Sequence, residues 1–161
     1  AYIAVNDNCE YLYQIGDDVK IINSGWEEAF INKLKKLDNV GVVGPLDVNN
    51  SSILTQSFVH KTHLKIFNNY FPKELINWFV DDWITNVYKP NNSFCLKKYK
   101  IKNEVNARYN VVNDKKKYKK ILKRDIKLFN KYSSENFEDL VYNKLINTGR
   151  ERIQNYINLK K

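Results

Sequence analysis

The spacing of hydrophobic and polar positions changes along the chain, and each change marks an element. Tyr11-Leu12-Tyr13-Gln14-Ile15 alternates as a half-buried strand does, with aromatic and β-branched content. Gly16-Asp17-Asp18 interrupts it, and Val19–Ile22 is a second apolar stretch. After the turn Asn23-Ser24-Gly25, residues 26–37 place Trp26, Phe30, Ile31, Leu34 and Leu37 at helical spacing, and Asp38-Asn39 ends that helix. Residues 40–45 form a continuous apolar run of the kind buried in a parallel sheet. A polar loop covers 47–52, a strand 55–59, and a short helix runs to Phe67 with Thr62 as its N-cap. Asn68-Asn69-Tyr70-Phe71-Pro72 breaks the pattern, and Glu74–Phe79 leads to Asp81-Asp82 and a helix over 83–88. Beyond Pro90-Asn91-Asn92 the pattern predicts a lysine-rich strand-like region over 94–105. A basic amphipathic helix follows over 115–132, and a last helix over 136–159. Strand, helix, strand with short connections implies α/β layering.

Composition refines this picture. The 161 residues amount to about one domain, and 43% hydrophobic with 14% aromatic residues suffices for a core. No apolar run approaches the roughly 20 residues that span a bilayer. Cys9 and Cys95 lie far apart with no CxxC spacing, which argues against a disulfide scaffold or a zinc ribbon and points to a reducing, cytoplasmic setting.

The net charge of +9 is unevenly distributed. Residues 1–92 hold 8 basic and 11 acidic residues, whereas 93–161 hold 19 and 7. A basic appendage therefore follows a slightly acidic body. Lysine and asparagine each occur 23 times, isoleucine 15 and tyrosine 11 times. All four have AT-rich codons, so genome composition accounts for much of the basic bias without any ligand.

Two acid pairs stand out as candidate chemistry. Asp17-Asp18 directly follows a strand, at the edge where open α/β sheets place ligands. Adjacent carboxylates in a confined site repel unless a cation joins them, and a hard divalent ion such as Mn²⁺ or Mg²⁺ would relieve that repulsion. The plain alternative is a solvated Asp-Asp turn. Asp81-Asp82 sits among Trp78, Phe79, Val80 and Trp83, and burial beside aromatics raises a carboxyl pKa toward the range of a general base. Its plain alternative is a helix start with acids favouring the dipole.

The ordered series resembles a known family. Residues 11–34, then Val-Gly-Val-Val-Gly-Pro at 40–45, then the segment 55–88 ending in Val80-Asp81-Asp82-Trp83, are similar to the catalytic part of nucleotide-sugar glycosyltransferases of the GT-A fold. Those of giant viruses are the most similar. The resemblance covers residues 1–92. It implies a DxD-like motif at Gly16-Asp17-Asp18 and an xED-like motif at Val80-Asp81-Asp82. By that resemblance Asp18 would ligate Mn²⁺ or Mg²⁺ on the donor diphosphate, with Asp17 beside it near the sugar or ribose. Asp82, or else Asp81, would be the catalytic base, Trp78 and Trp83 would shape the acceptor pocket, and Arg108 would lie near the donor phosphates. The partners implied are a nucleotide-sugar donor and a glycan, protein or small-molecule acceptor, with no specific nucleic acid.

Two features depart from that family. Gly16 occupies the first acidic position of the DxD motif, and by the family's layout the βαβ units that hold the nucleotide base are expected to be missing ahead of Ala1. The expected layout is thus a GT-A-like catalytic region over 1–112, shortened at its N-terminus, and a basic helical extension over 113–161. Lys115–Lys127 offers a peripheral contact with an anionic membrane. The setting is cytoplasmic, in a host cell if the source is viral. Two rival readings are a non-catalytic basic module for nucleic acid or membrane, and an inactive glycosyltransferase remnant. His60 and His63 stand at H-x-x-H spacing, but a helix beginning at Thr62 would make their side chains diverge, so zinc is not expected.

Overall fold

A computed structural model describes residues 6–76, 78–104 and 142–160, together with 123, 127 and 130. The described residues form, in chain order, β1 (Tyr11–Gln14), β2 (Val19–Ile21), α1 (Trp26–Lys35), β3 (Val42–Asp47) and β4 (Ser57–His60), then α2 (Thr62–Phe67), α3 (Val80–Val87), β5 (Ser93–Asn103) and α4 (Asn143–Asn158). The five strands make one mixed sheet in the order β1-β4-β3-β5-β2. Only β3 and β5 run parallel; the other three pairings are antiparallel. The α/β architecture expected from the sequence is therefore present.

Central β3 is buried at five of its six positions, as a strand covered on both faces requires. It begins at Val42, two residues after the expected start, and runs two residues past the expected end at Pro45, so Leu46 and Asp47 also belong to the strand. Proline has no N–H to give the ladder, and β3 has its irregularity directly after Pro45, where the register against β5 shifts.

Two cores flank the sheet. The smaller lies under α1, where Phe30 and Leu34 meet Val43 and Phe58, edged by Tyr11, Tyr13 and Trp26. The larger holds Leu12, Val42 and Val59 against α2, α3 and α4. Alternation along β1 explains the division, since Leu12 faces one core and Tyr11 and Tyr13 the other.

α1 ends at Lys35, slightly before the expected 37, because Asp38 and Asn39 turn left-handed at φ 51° and 59°. α2 begins at Thr62 itself, with Lys61 and not Thr62 at the cap. α3 starts three residues before the expected 83 and so carries both acids in its first turn.

α4 packs its apolar stripe against the larger core. Ile146, Gly149 and Ile153 are buried in the larger core with Trp83, Val87 and Phe67. A Cβ on Gly149 would lie 2.4 Å from Val87 Cγ2, so the helices cross at a contact that only glycine permits. Residues 143–158 thus belong to the same folded body as the sheet. The expected helix over 115–132 lies outside the described residues apart from Lys123, Lys127 and Asn130, which are helical and exposed. No helix among the described residues is long and apolar enough to cross a membrane.

Candidate functional site

β1 delivers the first acid pair at its carboxyl end. Asp17 is exposed and Asp18 half-buried. Both ends of their turn are fixed by hydrogen bonds. The Gly16 N–H donates to Gln56 Oε1 at 2.7 Å, and the Asp18 carbonyl accepts from the Glu104 N–H at 2.8 Å. The Asp18 carboxylate folds back over Gly16: a Cβ at residue 16 would lie 2.7 Å from Asp18 Oδ1. An acid at position 16 would collide with that carboxylate.

Behind the turn lies a polar network that sequence reasoning did not find. Gln56 Nε2 donates to Asn103 Oδ1 at 3.4 Å, and Asn103 Nδ2 donates to Asp47 Oδ2. Asp47 is 1% exposed and accepts also from Thr55 Oγ1 and the Asn49 N–H, both at 2.9 Å. Three donors satisfy a carboxylate that would be costly to bury without them. The network ties β3, β4 and β5 together beneath Gly16. Its faint sequence signal is Thr55-Gln56-Ser57, three polar residues that are all buried at the head of an apolar strand.

Asp81 of the second pair is linked to this part of the sheet through Tyr70. Gln14, two residues before Gly16, pairs with Ser57 in the β1–β4 ladder. The Tyr70 hydroxyl donates to the Ser57 carbonyl at 2.7 Å and lies 3.2 Å from Ser57 Oγ. Burial raises the Tyr70 phenol pKa, and the Asp81 carboxylate is near enough to add a little to that rise. The path from the first acid pair to the second thus runs through one strand pair and one tyrosine.

The two acids of α3 occupy different surroundings. Burial, then repulsion from Asp82, pushes the Asp81 carboxyl up to about 7. The Asp82 carboxyl is raised less, by burial, against the opposing pull of its own backbone N–H and of Lys89. Helical spacing puts Asp81 on the side of Thr85, whose Oγ1 accepts from the Leu54 N–H just before β4. Asp82 falls on the side of Asn86, whose carbonyl is bound by Arg150 of α4. Asp81 therefore faces the sheet and Asp82 the helix flank. Just before them, Phe79 holds φ 63° at the helix N-cap, a left-handed conformation unusual for a bulky residue.

Trp83 is 2% exposed, packed on Phe67 and His63, and reaches open space only as the inner wall of a cavity of about 400 Å³ against α4. Trp78 is half-buried at the edge of the larger core. Arg108 and the lysines at 115–120 lie outside the described residues.

The histidines diverge, as the spacing argument expected. His60 stacks edge-on to Tyr11 and takes its hydrogen bonds at Nδ1 from the Thr62 N–H and hydroxyl. His63 is buried in the other core, where the Tyr70 carbonyl requires Nε2 to be protonated and Nδ1 accepts from the Tyr88 hydroxyl. Burial drives the His63 pKa down to about 4 and keeps the ring neutral. Among the described residues no three of His, Cys, Asp and Glu gather into a metal-binding cluster.

No family model, curated protein or solved structure matches this chain.

Proposed function

We propose that the chain is the catalytic part of a GT-A-like glycosyltransferase that moves a sugar from a nucleotide-diphosphate donor to an acceptor hydroxyl with divalent-metal assistance. One observation carries the reading. Of two acid pairs far apart in sequence, one stands at a strand terminus with Asp17 exposed, and the other holds a desolvated Asp81 with its carboxyl near neutrality, within electrostatic reach of Tyr70, which is bonded to the strand beside the first. Open α/β sheets bind ligands at strand carboxyl ends, and divergent acid environments are how a site separates ligation from proton transfer.

The residues present suit Mn²⁺ or Mg²⁺. Asp17 and Asp18 offer hard carboxylate oxygens, and Gly16 leaves the Asp18 carboxylate room over the turn. Asp18 would be the ligand, with the rest of the shell coming from diphosphate oxygens and water. Bound there, the ion would stabilise charge developing on the leaving diphosphate.

In this proposal Asp81, and not the Asp82 favoured by motif position, takes the acceptor proton. It faces the sheet end, and its pKa of about 7 matches that of an effective base at neutral pH. The acceptor oxygen then attacks the anomeric carbon, the carbon–oxygen bond to the diphosphate breaks, and the nucleoside diphosphate leaves. Asp82 favours the helix N-terminus and holds the flank. The buried Trp83 supports α3 from behind, which leaves Trp78 as the aromatic for the acceptor side.

The test is binding followed by turnover. Mn²⁺ and a nucleoside diphosphate should bind in a mutually dependent way, read by calorimetry or by Mn²⁺ broadening of the Asp17 and Asp18 amides, and Asp18→Asn should abolish the dependence. With a matched donor and acceptor, Asp81→Asn should lower kcat by about 10²–10⁴-fold and Asp82→Asn by much less. Diphosphate binding indifferent to EDTA and to Asp18→Asn would overturn the metal role.

A further inference from the structure

The outer ribbon of the sheet, β5 with β2, presents lysines on one face. Tyr99 packs inward on Phe30, with ring centroids 5.9 Å apart, and Ile101 is 1% exposed. Alternation about these two sends Lys100 and Lys102 to the opposite face; both are exposed, as is Lys98, whose Nζ lies 5.6 Å from the centre of the Tyr99 ring. On β2, Lys20 stands directly across from Lys102 in the ladder. Ile22 continues on the same side, its N–H donating to the Lys100 carbonyl at 3.0 Å, and its side chain is 48% exposed. None of the four lysine side chains makes a hydrogen bond or ion pair among the described residues.

Like charges directly opposed across a strand pair destabilise it. Lys20 against Lys102, with Lys100 on the same face and Lys98 beside it, keeps that cost in the free protein and would remove it against a dense negative surface. We infer that this face is a docking surface for an anionic lipid bilayer. Charge complementarity identifies an anion, and the rest of the face identifies which. Sheets that bind single-stranded nucleic acid place aromatic rings among their basic residues for bases to stack on. Here the one ring of the ribbon's outer half, Tyr99, is turned into the core, and the exposed apolar side chain beside the lysines is the aliphatic Ile22. Lysines that keep their charge in the headgroup layer around a single aliphatic residue suit a lipid interface.

The experiment is sedimentation of the 161-residue chain with vesicles of phosphatidylcholine alone or with 30% phosphatidylserine. The variant K20Q/K98Q/K100Q/K102Q is compared with K35Q/K36Q/K73Q/K160Q, which removes the same charge from other exposed positions. A lysine near an anionic surface is worth about fivefold in partitioning. The first variant should therefore lose at least tenfold in binding to the serine vesicles, and the second should stay within about threefold. The second should melt like the parent and the first at or slightly above it, since it relieves the Lys20–Lys102 repulsion; should the first not fold, K98Q/K100Q gives a smaller loss of the same kind. Ile22→Ser should weaken vesicle binding and leave the binding of a single-stranded oligonucleotide unchanged. Absence of serine-dependent binding, or equal losses in the two quadruple variants, would overturn the inference. So would an oligonucleotide that binds more tightly than the vesicles and is lost with the same four lysines.

Discussion

At the scale of single residues, Asp81 has opposing consequences for stability and for chemistry. Its carboxyl titrates near 7 in the folded chain, against 3.8 for the free group, because the ionised form is poorly solvated there. The native state therefore holds a proton that the unfolded chain has released across the interval from about 4 to 7. Stability attributable to this residue falls as pH rises through that interval and stays low above it. Asn mimics the neutral form. Asp81→Asn should leave the melting temperature nearly unchanged at pH 4 and raise it by several degrees at pH 8, while abolishing the proposed proton transfer. Thermal scans of the two proteins from pH 4 to 8 check this. His63 titrates in the opposite sense, its buried ring favouring stability as pH rises from about 4 to 6.5, but it is common to both proteins and cancels in the difference.

Which of the two aspartates faces the sheet was not legible in the sequence. It depends on α3 beginning at Val80, and that start is set by Phe79 in a left-handed conformation that no local propensity favours for phenylalanine. The Gln56–Asn103–Asp47 network was equally out of reach, because its contacts join residues 40 to 56 positions apart. The two acid pairs themselves were visible. They stand at the ends of elements whose periodicity was strong.

At the scale of elements, strands and helices with strong periodicity emerged near their expected bounds, and the departures have local causes. β3 continues past Pro45 to Asp47 because β5 goes on pairing with Leu46 and Asp47 beyond the proline. α4 fell in the expected basic extension because residues 93–161 hold 19 basic and 7 acidic residues, yet Ile146, Gly149 and Ile153 follow one another at helical spacing and form a narrow buried stripe. Its central glycine tests this packing. In an exposed helix, Gly→Ala stabilises by about 1 kcal/mol. At Gly149 the new methyl would meet Val87 Cγ2, so Gly149→Ala should instead destabilise by about 1–3 kcal/mol, measured as a lower urea midpoint at unchanged slope.

For the molecule as a whole, the larger core is closed by residues from both ends of the chain. Burying two isoleucines is worth about 1.5–3 kcal/mol each, against a total stability of about 5–15 kcal/mol for a typical domain. Ending the chain at residue 112 removes Ile146 and Ile153 and opens the wall behind Trp83 and Val87. The shortened chain should lose cooperative unfolding and bind a hydrophobic dye, seen by calorimetry and fluorescence; a sharp melt at the parent temperature would show that the sheet stands without α4. The basic C-terminal third is in this sense part of the fold's architecture at residues 143–158, whatever its lysines contact.

The irregularity after Pro45 bears on how this chain can change in length. One step along β3, from Pro45 to Leu46, matches four along β5, from Leu96 to Lys100, leaving Lys97, Lys98 and Tyr99 without partners in the β3 ladder. The two halves of β5 answer to different neighbours, Ser93–Leu96 to β3 alone and Ile101–Asn103 to β2 as well. A strand's sidedness has period two, so gaining or losing one residue in the unmatched stretch would turn Ile101 outward and the lysines inward, whereas a change of two would preserve both. Natural variation in length at this point is expected to obey parity, with insertions and deletions entering in pairs.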